Sequence, residues 1–190
     1  MKCVILAAGL GERMMPLTAK TPKPLLKVGK KALIDYVLDS LPEEIDEIII
    51  VIYHLGDKIR KHVGKEYKGK WVRYVKGSIK GNAFSFFATR PYLDNERFLL
   101  IYGDEIPNPG NVRKCLNEKL SIITFGDSVK DGIMVLNTDI FEYPPLDDTN
   151  FSSMLDGFIR DHKVTLINDK YFVGGINTPI DLERVRLIYG

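Results

Sequence analysis

Cys3-Val4-Ile5-Leu6-Ala7-Ala8-Gly9-Leu10-Gly11-Glu12-Arg13 runs from an apolar segment straight into a glycine-rich turn. Cys3–Ala8 carries no polar interruption, the pattern of a strand buried on both faces. Small residues in the turn let backbone N–H groups approach a phosphate or a base closely, where a side chain would obstruct. A dinucleotide fingerprint would need a third glycine, and Met14 stands in its place. A dehydrogenase also needs an acidic residue closing the second strand to hold a ribose, and Ile52-Tyr53-His54 offers none.

Beyond this turn, runs rich in Val and Ile alternate with segments of helical period. Strands are expected at Glu47–Ile52, Trp71–Val75, Arg97–Tyr102, Leu120–Phe125, Gly132–Leu136 and Val164–Ile167. Helices are expected at Ala32–Leu41, around Ile59 and Val63, and at Gly81–Arg90, Gly110–Asn117, Phe151–Arg160 and Pro179–Ile188. That alternation implies an α/β fold, a three-layer α/β/α sandwich around a mostly parallel, mixed sheet. Ligands in such sheets bind beyond the carboxyl ends of the strands, here after Ala8, Ile52, Val75 and Tyr102. No repeat, low-complexity segment or linker divides the chain, so residues 1–190 read as one domain.

Composition excludes several classes. The 190 residues are 45% apolar, enough for a real core, and 27% charged. A net charge of +2, with the basic residues scattered apart from a cluster at Lys20–Lys31, argues against nucleic acid. Two distant cysteines, Cys3 and Cys115, form no CxxC pair and read as buried free thiols, which suits a reducing compartment. The opening apolar run is too short for a signal-peptide core, and the longest uncharged apolar stretch, Ile48–Gly56, is too short to span a membrane. A soluble, cytoplasmic protein is expected.

Thr21-Pro22-Lys23-Pro24-Leu25-Leu26 follows the turn, and its prolines should hold the Lys23 side chain in an extended loop. Taken alone, Lys23 would be a solvated surface cation; Gly-x-Gly-x-Arg upstream makes it a phosphate-binding candidate. Asp104, within Gly103-Asp104-Glu105, stands at the carboxyl end of a strand, where a hard carboxylate suits Mg²⁺; the competing reading is a cap on the next helix. The three histidines show no spacing for a metal cluster or a nucleophile system.

Val4–Leu41 resembles the sugar-1-phosphate nucleotidyltransferases of the nucleotidyltransferase superfamily, a Rossmann-like fold. Their signature Leu-Ala-Ala-Gly-x-Gly-x-Arg, Pro-Leu-Thr and Pro-Lys-Pro-Leu stands here as Leu6–Arg13, Pro16-Leu17-Thr18 and Pro22–Leu25. The resemblance implies transfer of a nucleotidyl group from a nucleoside triphosphate to a sugar 1-phosphate or another small phosphate monoester, with release of pyrophosphate. It assigns Arg13 to the triphosphate, Lys23 to the acceptor phosphate or the α-phosphate, and Asp104 to Mg²⁺. Leu6, Ala7, Ala8, Gly9, Gly11, Arg13, Gly81, Asn82 and Gly103 would contact the nucleotide. Gly-Asn-Ala-Phe-Ser-Phe at residues 81–86 is closer to phosphocholine cytidylyltransferases of the superfamily, with Phe84, Phe86 and Phe87 read as core. Two departures stand out. Gly175 occupies the place of an aspartate that serves relatives as a second metal ligand, leaving Asn177 as a weak substitute and Asp181 as a helix opener. Only Gly126–Asp131 fills the place of a longer acceptor-gripping insertion. A small acceptor, a second subunit completing the pocket, or a non-catalytic nucleotide-binding regulatory paralogue would each account for the shortening.

Overall fold

In the computed structural model, residues 1–124, 132–145, 151–169 and 175–189 are described. The first half forms β1 (Lys2–Ala7), β2 (Lys27–Val28), β3 (Lys31–Ala32), α1 (Leu33–Ser40), β4 (Glu47–Ile52), α2 (Gly56–Val63), β5 (Glu66–Tyr67), β6 (Lys70–Lys76) and α3 (Asn82–Phe87). The second half forms β7 (Phe98–Tyr102), α4 (Pro109–Asn117), β8 (Ser121–Thr124), β9 (Met134–Leu136), α5 (Phe151–Asp161), β10 (Thr165–Asn168) and α6 (Pro179–Tyr189).

Among the described residues, eight strands make one sheet in the order β10-β8-β9-β7-β1-β4-β6-β5. β1 pairs in parallel with both β4 and β7, and β4 with β6, whereas β9 runs antiparallel between β7 and β8. The expected mixed, mostly parallel sheet is present. Parallel register aligns Ala7 with Ile52 and Ile52 with Lys76, so the strands end together on one edge.

Successive residues of β1 feed two cores, because side chains alternate across a strand. Cys3, Ile5 and Ala7 pack with Ile34 and Val37 of α1, Ile59 of α2 and Val112 of α4. Val4, Leu6 and Ala8 pack with Ala83 and Phe86 of α3 and Met154 and Phe158 of α5. The sheet is covered on both faces, and an all-apolar β1 is the consequence. A third, smaller core joins Met14, Leu26, Val28, Leu33, Ile106 and Ile176 to Leu182 and Val185 of α6.

Cys3 and Cys115 are buried free thiols; burial raises the pKa of both, Cys115 to about 11. No helix among the described residues is long and apolar enough to cross a membrane.

The helix expected over Gly81–Arg90 is shorter: α3 ends at Phe87, and a separate 3₁₀ turn covers Arg90–Tyr92. Pro91 sets that limit, since it has no N–H to donate back to Phe87 and so cannot continue the α-helical ladder. Phe86 is a core residue, stacked on Phe141 at 4.7 Å and edge-on to Phe151 at 5.1 Å. Phe84 is only half-buried, under the Lys80 ammonium. The expected connection Gly126–Asp131, Phe125, and Val173 and Gly174 lie outside the described residues.

Candidate functional site

The chain steps from β1 through β4 to β6, then returns to the other side of β1 as β7. Neighbouring connections therefore diverge above β1 and β7 and leave a crevice at the carboxyl ends of those strands. A cleft of about 550 Å³ opens there, lined by Leu6–Met14, Lys23, Pro24, Ser78, Ile79, Gly81, Asn82, Ser85, Tyr102, Asp104 and Asn177. Of the expected site residues, all but Gly103 face this space.

The glycine turn is shaped by contacts a side chain would spoil. Gly11 has φ +70°, and a Cβ there would lie 2.9 Å from Thr18 Cγ2. Its carbonyl accepts from Met14 N at 2.9 Å and from Thr18 Oγ1 at 2.7 Å. Met14, in place of a third glycine, is fully buried in the third core and pins the turn from below. Around the ideal Cβ position at Gly9 no atom lies within 4 Å, which leaves open space above the strand end. Gly103 acts from behind: its N–H donates to Leu6 O at 2.9 Å, and a Cβ would stand 3.2 Å from Ala7 Cβ. It lets β7 close on β1, and the cleft begins just beyond.

Lys23 does not sit in an extended loop. Lys23–Leu25 is a 3₁₀ turn closed by Leu25 N to Pro22 O at 2.8 Å and Leu26 N to Lys23 O at 3.0 Å. Pro24 fits inside it because the first turn of a helix leaves its N–H groups without partners anyway. The turn aims the Lys23 ammonium at Asp104, to which it donates, and at Asn177 Oδ1, 3.1 Å away. Arg13 Nη2 donates to the same Asn177 oxygen at 2.8 Å. Both Lys23 and Asp104 are largely shielded from solvent. Asp104 does not cap α4; Asn108 does, accepting from Gly110 N at 2.9 Å.

Asn177, given little weight from sequence, is the hub of this cluster. It precedes α6, whose N-terminus is closed by Asp181. That carboxylate accepts from Thr178 Oγ1 at 2.8 Å, Thr178 N at 2.7 Å and Asn177 N at 3.0 Å. Thr178 Oγ1 accepts in turn from Asp181 N at 3.2 Å, a reciprocal cap. The Thr178 hydroxyl above all holds the Asp181 pKa below the usual carboxylate range, and burial only partly opposes it. Gly175 has φ +58°, and a Cβ there would fall 2.8 Å from Asn177 Nδ2. Gly175 thus makes room for the Asn177 amide and accepts its Nδ2–H at 2.7 Å.

On the other wall, Gly81 (φ +113°) starts α3 and leaves Asn82 exposed over the cleft. Ser85 Oγ accepts from Ser78 N at 3.0 Å and donates to Ser78 O at 3.2 Å, tying the loop to the helix. Ser78, Ser85 and Tyr102 were not singled out from sequence; a loop following a strand on the ligand-binding edge was the available signal. His54 is exposed and does not line the cleft. No group of three or more His, Cys, Asp or Glu side chains that could hold a metal occurs among the described residues.

Among the described residues, Arg13 and Lys23 therefore face this crevice together with the carboxylates of Asp104 and Glu12, above a floor formed by Leu6–Gly11. Cations so placed suit an anionic ligand.

The nucleotidyl transferase family model matches residues 2–118. A choline-phosphate cytidylyltransferase from Streptococcus pneumoniae is 36% identical over 96 residues, 50% of this chain and 42% of that one. A UTP–glucose-1-phosphate uridylyltransferase, AglF, from Haloferax volcanii is 28% identical over 174 residues, 83% of this chain and 70% of that one. A putative glucose-1-phosphate thymidylyltransferase from Bacillus anthracis, solved in complex with a sucrose, shares the fold: TM-score 0.83, 20% identity, covering 100% of this chain and 95% of that one. Several relatives are longer, and the chain spans only 38%, 18% and 42% of the length of three of them.

Proposed function

The chain belongs to the nucleotidyl transferase family, and from that membership and the contents of its cleft we propose that it transfers a nucleotidyl group from a nucleoside triphosphate to a sugar 1-phosphate. The observation that carries this reading is the convergence of Arg13, Lys23 and Asp104 on one crevice above β1 and β7.

In this reaction an oxygen of the acceptor phosphate attacks the α-phosphorus, and the bond from that phosphorus to the bridging oxygen of the β-phosphate breaks. Two anions must be brought together, so positioning and charge neutralisation do most of the work. The turn Leu6–Gly11 takes the nucleotide against its backbone, with Gly81 and Asn82 on the opposite wall. Arg13 neutralises the triphosphate. Lys23 lies deeper and neutralises the α-phosphate or the incoming acceptor.

Mg²⁺ fits the donor set. It binds through one or two carboxylates and keeps its remaining positions for phosphates and water, and Asp104 supplies one such carboxylate beside the phosphate-facing cations. When bound there, Mg²⁺ would draw charge from the phosphate oxygens and the leaving pyrophosphate. Asn177 and Gly175 add no second carboxylate, which supports a single protein acid at the metal. Residues 1–190 act as one domain in a reducing compartment, the cytoplasm, in keeping with the free thiols of Cys3 and Cys115.

A small phospho-alcohol such as phosphocholine is the second acceptor class. The residue 81–86 loop and the likeness to the pneumococcal enzyme favour it. Incubation with each of the common triphosphates, Mg²⁺ and a panel of sugar 1-phosphates and phospho-alcohols should release pyrophosphate with one acceptor class. Triphosphate binding with no turnover on any acceptor would instead make the chain a nucleotide-binding regulatory paralogue.

A further inference from the structure

α6 carries apolar residues on two sides. Leu182 and Val185 point inward and belong to the third core, Tyr189 meets the Tyr36 ring edge-on at 5.9 Å, and Arg186 Nε donates to Lys27 O at 3.1 Å. At 3.6 residues per turn, Ile180, Glu183, Arg184, Leu187 and Ile188 fall together on the opposite side. All five are exposed, Ile180 by 67%, Leu187 by 89% and Ile188 by 68%. A surface helix normally turns one apolar stripe to its own core and leaves polar residues outside, so a second stripe marks a contact surface.

We propose that this outer face of α6 pairs with the same face of a second copy of the chain, the two helices antiparallel about a two-fold axis that passes between Glu183 and Arg184. Charge complementarity singles out that partner. In an antiparallel pair centred there, Glu183 of each copy faces Arg184 of the other, and Ile180 of each faces Leu187 of the other. Apolar contacts then lie at both ends of the seam and two opposite-charge contacts at its centre. A parallel pairing would set like charges side by side instead. Glu183 accepts from Arg186 Nη1 of its own helix at 2.6 Å, so each central carboxylate is shared between two guanidinium groups, as its two oxygens allow. Two 11-residue helices cover less than the roughly 1,600 Å² of a standard interface, so the association is weak.

The test is sedimentation equilibrium of the full chain from about 10 µM to about 1 mM, the range in which a small interface populates a dimer. The parent protein should move toward twice the monomer mass, and Leu187→Lys, at a position 89% exposed, should stay monomeric with unchanged thermal unfolding. Glu183→Arg and Arg184→Glu should each self-associate at least about tenfold more weakly, since like charges then face one another across the axis. An equal mixture of these two variants should associate as the parent protein does, because each sets opposite charge against the other. Parent protein that stays monomeric to the highest concentration overturns the proposal and leaves the face to a different chain. Parent-like association of Leu187→Lys overturns it too, since the dimer then uses another surface. A mixture of the two charge variants that associates no better than either alone does the same.

Discussion

Lys23 donates to Asp104 across the cleft, joining a 3₁₀ turn near the start of the chain to the end of β7. The cation and the carboxylate thus hold each other in place before any phosphate enters. Asp104→Ala removes the carboxylate paired with Lys23 and leaves that ammonium on Asn177 Oδ1. Pyrophosphate release should fall by at least about 100-fold, the scale of losing an electrostatic stabiliser at a reacting phosphorus. Triphosphate binding in EDTA should be retained or tightened, since a competing anion has gone. A steady-state assay beside calorimetry checks both halves; unchanged turnover in the variant would remove Asp104 from the mechanism.

Gly103 separates packing from chemistry at the same strand end. A Cβ there meets Ala7 Cβ at 3.2 Å and Leu6 O at 3.3 Å, so β1 and β7 would have to part slightly. Gly103→Ala is expected to cost about 1–3 kcal/mol in urea unfolding, the range for overpacking a close contact. Triphosphate affinity should drop with it, because Leu6 and Ala7 form the floor of the cleft.

Away from the cleft, Asp39 of α1 accepts from Lys31, Lys68 and Tyr67. Burial raises its pKa, and the three hydrogen bonds outweigh that and bring it to about 2. A folded value below the unfolded one means that the contribution to stability is complete above about pH 4 and is lost as the pH falls toward 2. With the side chain partly open to solvent, on the order of 1–2 kcal/mol is at stake. Asp39→Asn should flatten this limb of the stability profile between about pH 4 and 2 in acid titrations followed by circular dichroism.

Phe86 is the aromatic centre of the second core, in ring contact with Phe98, Phe141 and Phe151. Phe86→Ala should destabilise the chain by about 3–5 kcal/mol by removing buried surface and leaving a cavity. Phe84→Ala, two residues away and half-buried, should cost far less. Equal losses in denaturant unfolding would mean that the packing at α3 is misassigned.

The centre of the sheet was legible because β1, β4 and β7 are apolar on both faces: β4 runs over Glu47–Ile52 as read from Glu-Ile-Ile-Ile-Val-Ile, β1 and β7 fall within a residue or two of expectation, and so does β6, which alternates instead. Two short hairpins were not recognised. Gly29 (φ +56°) lies in the bend between β2 and β3, and Lys68 and Gly69 (φ +48° and +79°) make the bend between β5 and β6. Strands of two residues carry no periodicity, so only the turn chemistry could have shown them. At the site, Arg13, Lys23 and Asp104 came from motifs at strand ends. Asn177 carried no such signal, because its weight comes from neighbours that only the fold brings near, Arg13 being 164 residues away along the chain. Met14 shows the converse: a position that excludes one fingerprint turns out to be the anchor of another turn.

The third small core has a consequence for synthesis. Met14, Leu26 and Val28 come out of the ribosome early, whereas their partners Ile176, Leu182 and Val185 follow all eight strands of the sheet. Synthesis runs from the N-terminus, so β1, β4, β6 and β7 are all available before the residues that complete the mouth of the pocket. Arg13 and Lys23 meet their common acceptor, Asn177, only once every strand of the sheet has been made, so a chain cut before Asn177 keeps the strands and lacks that side of the pocket.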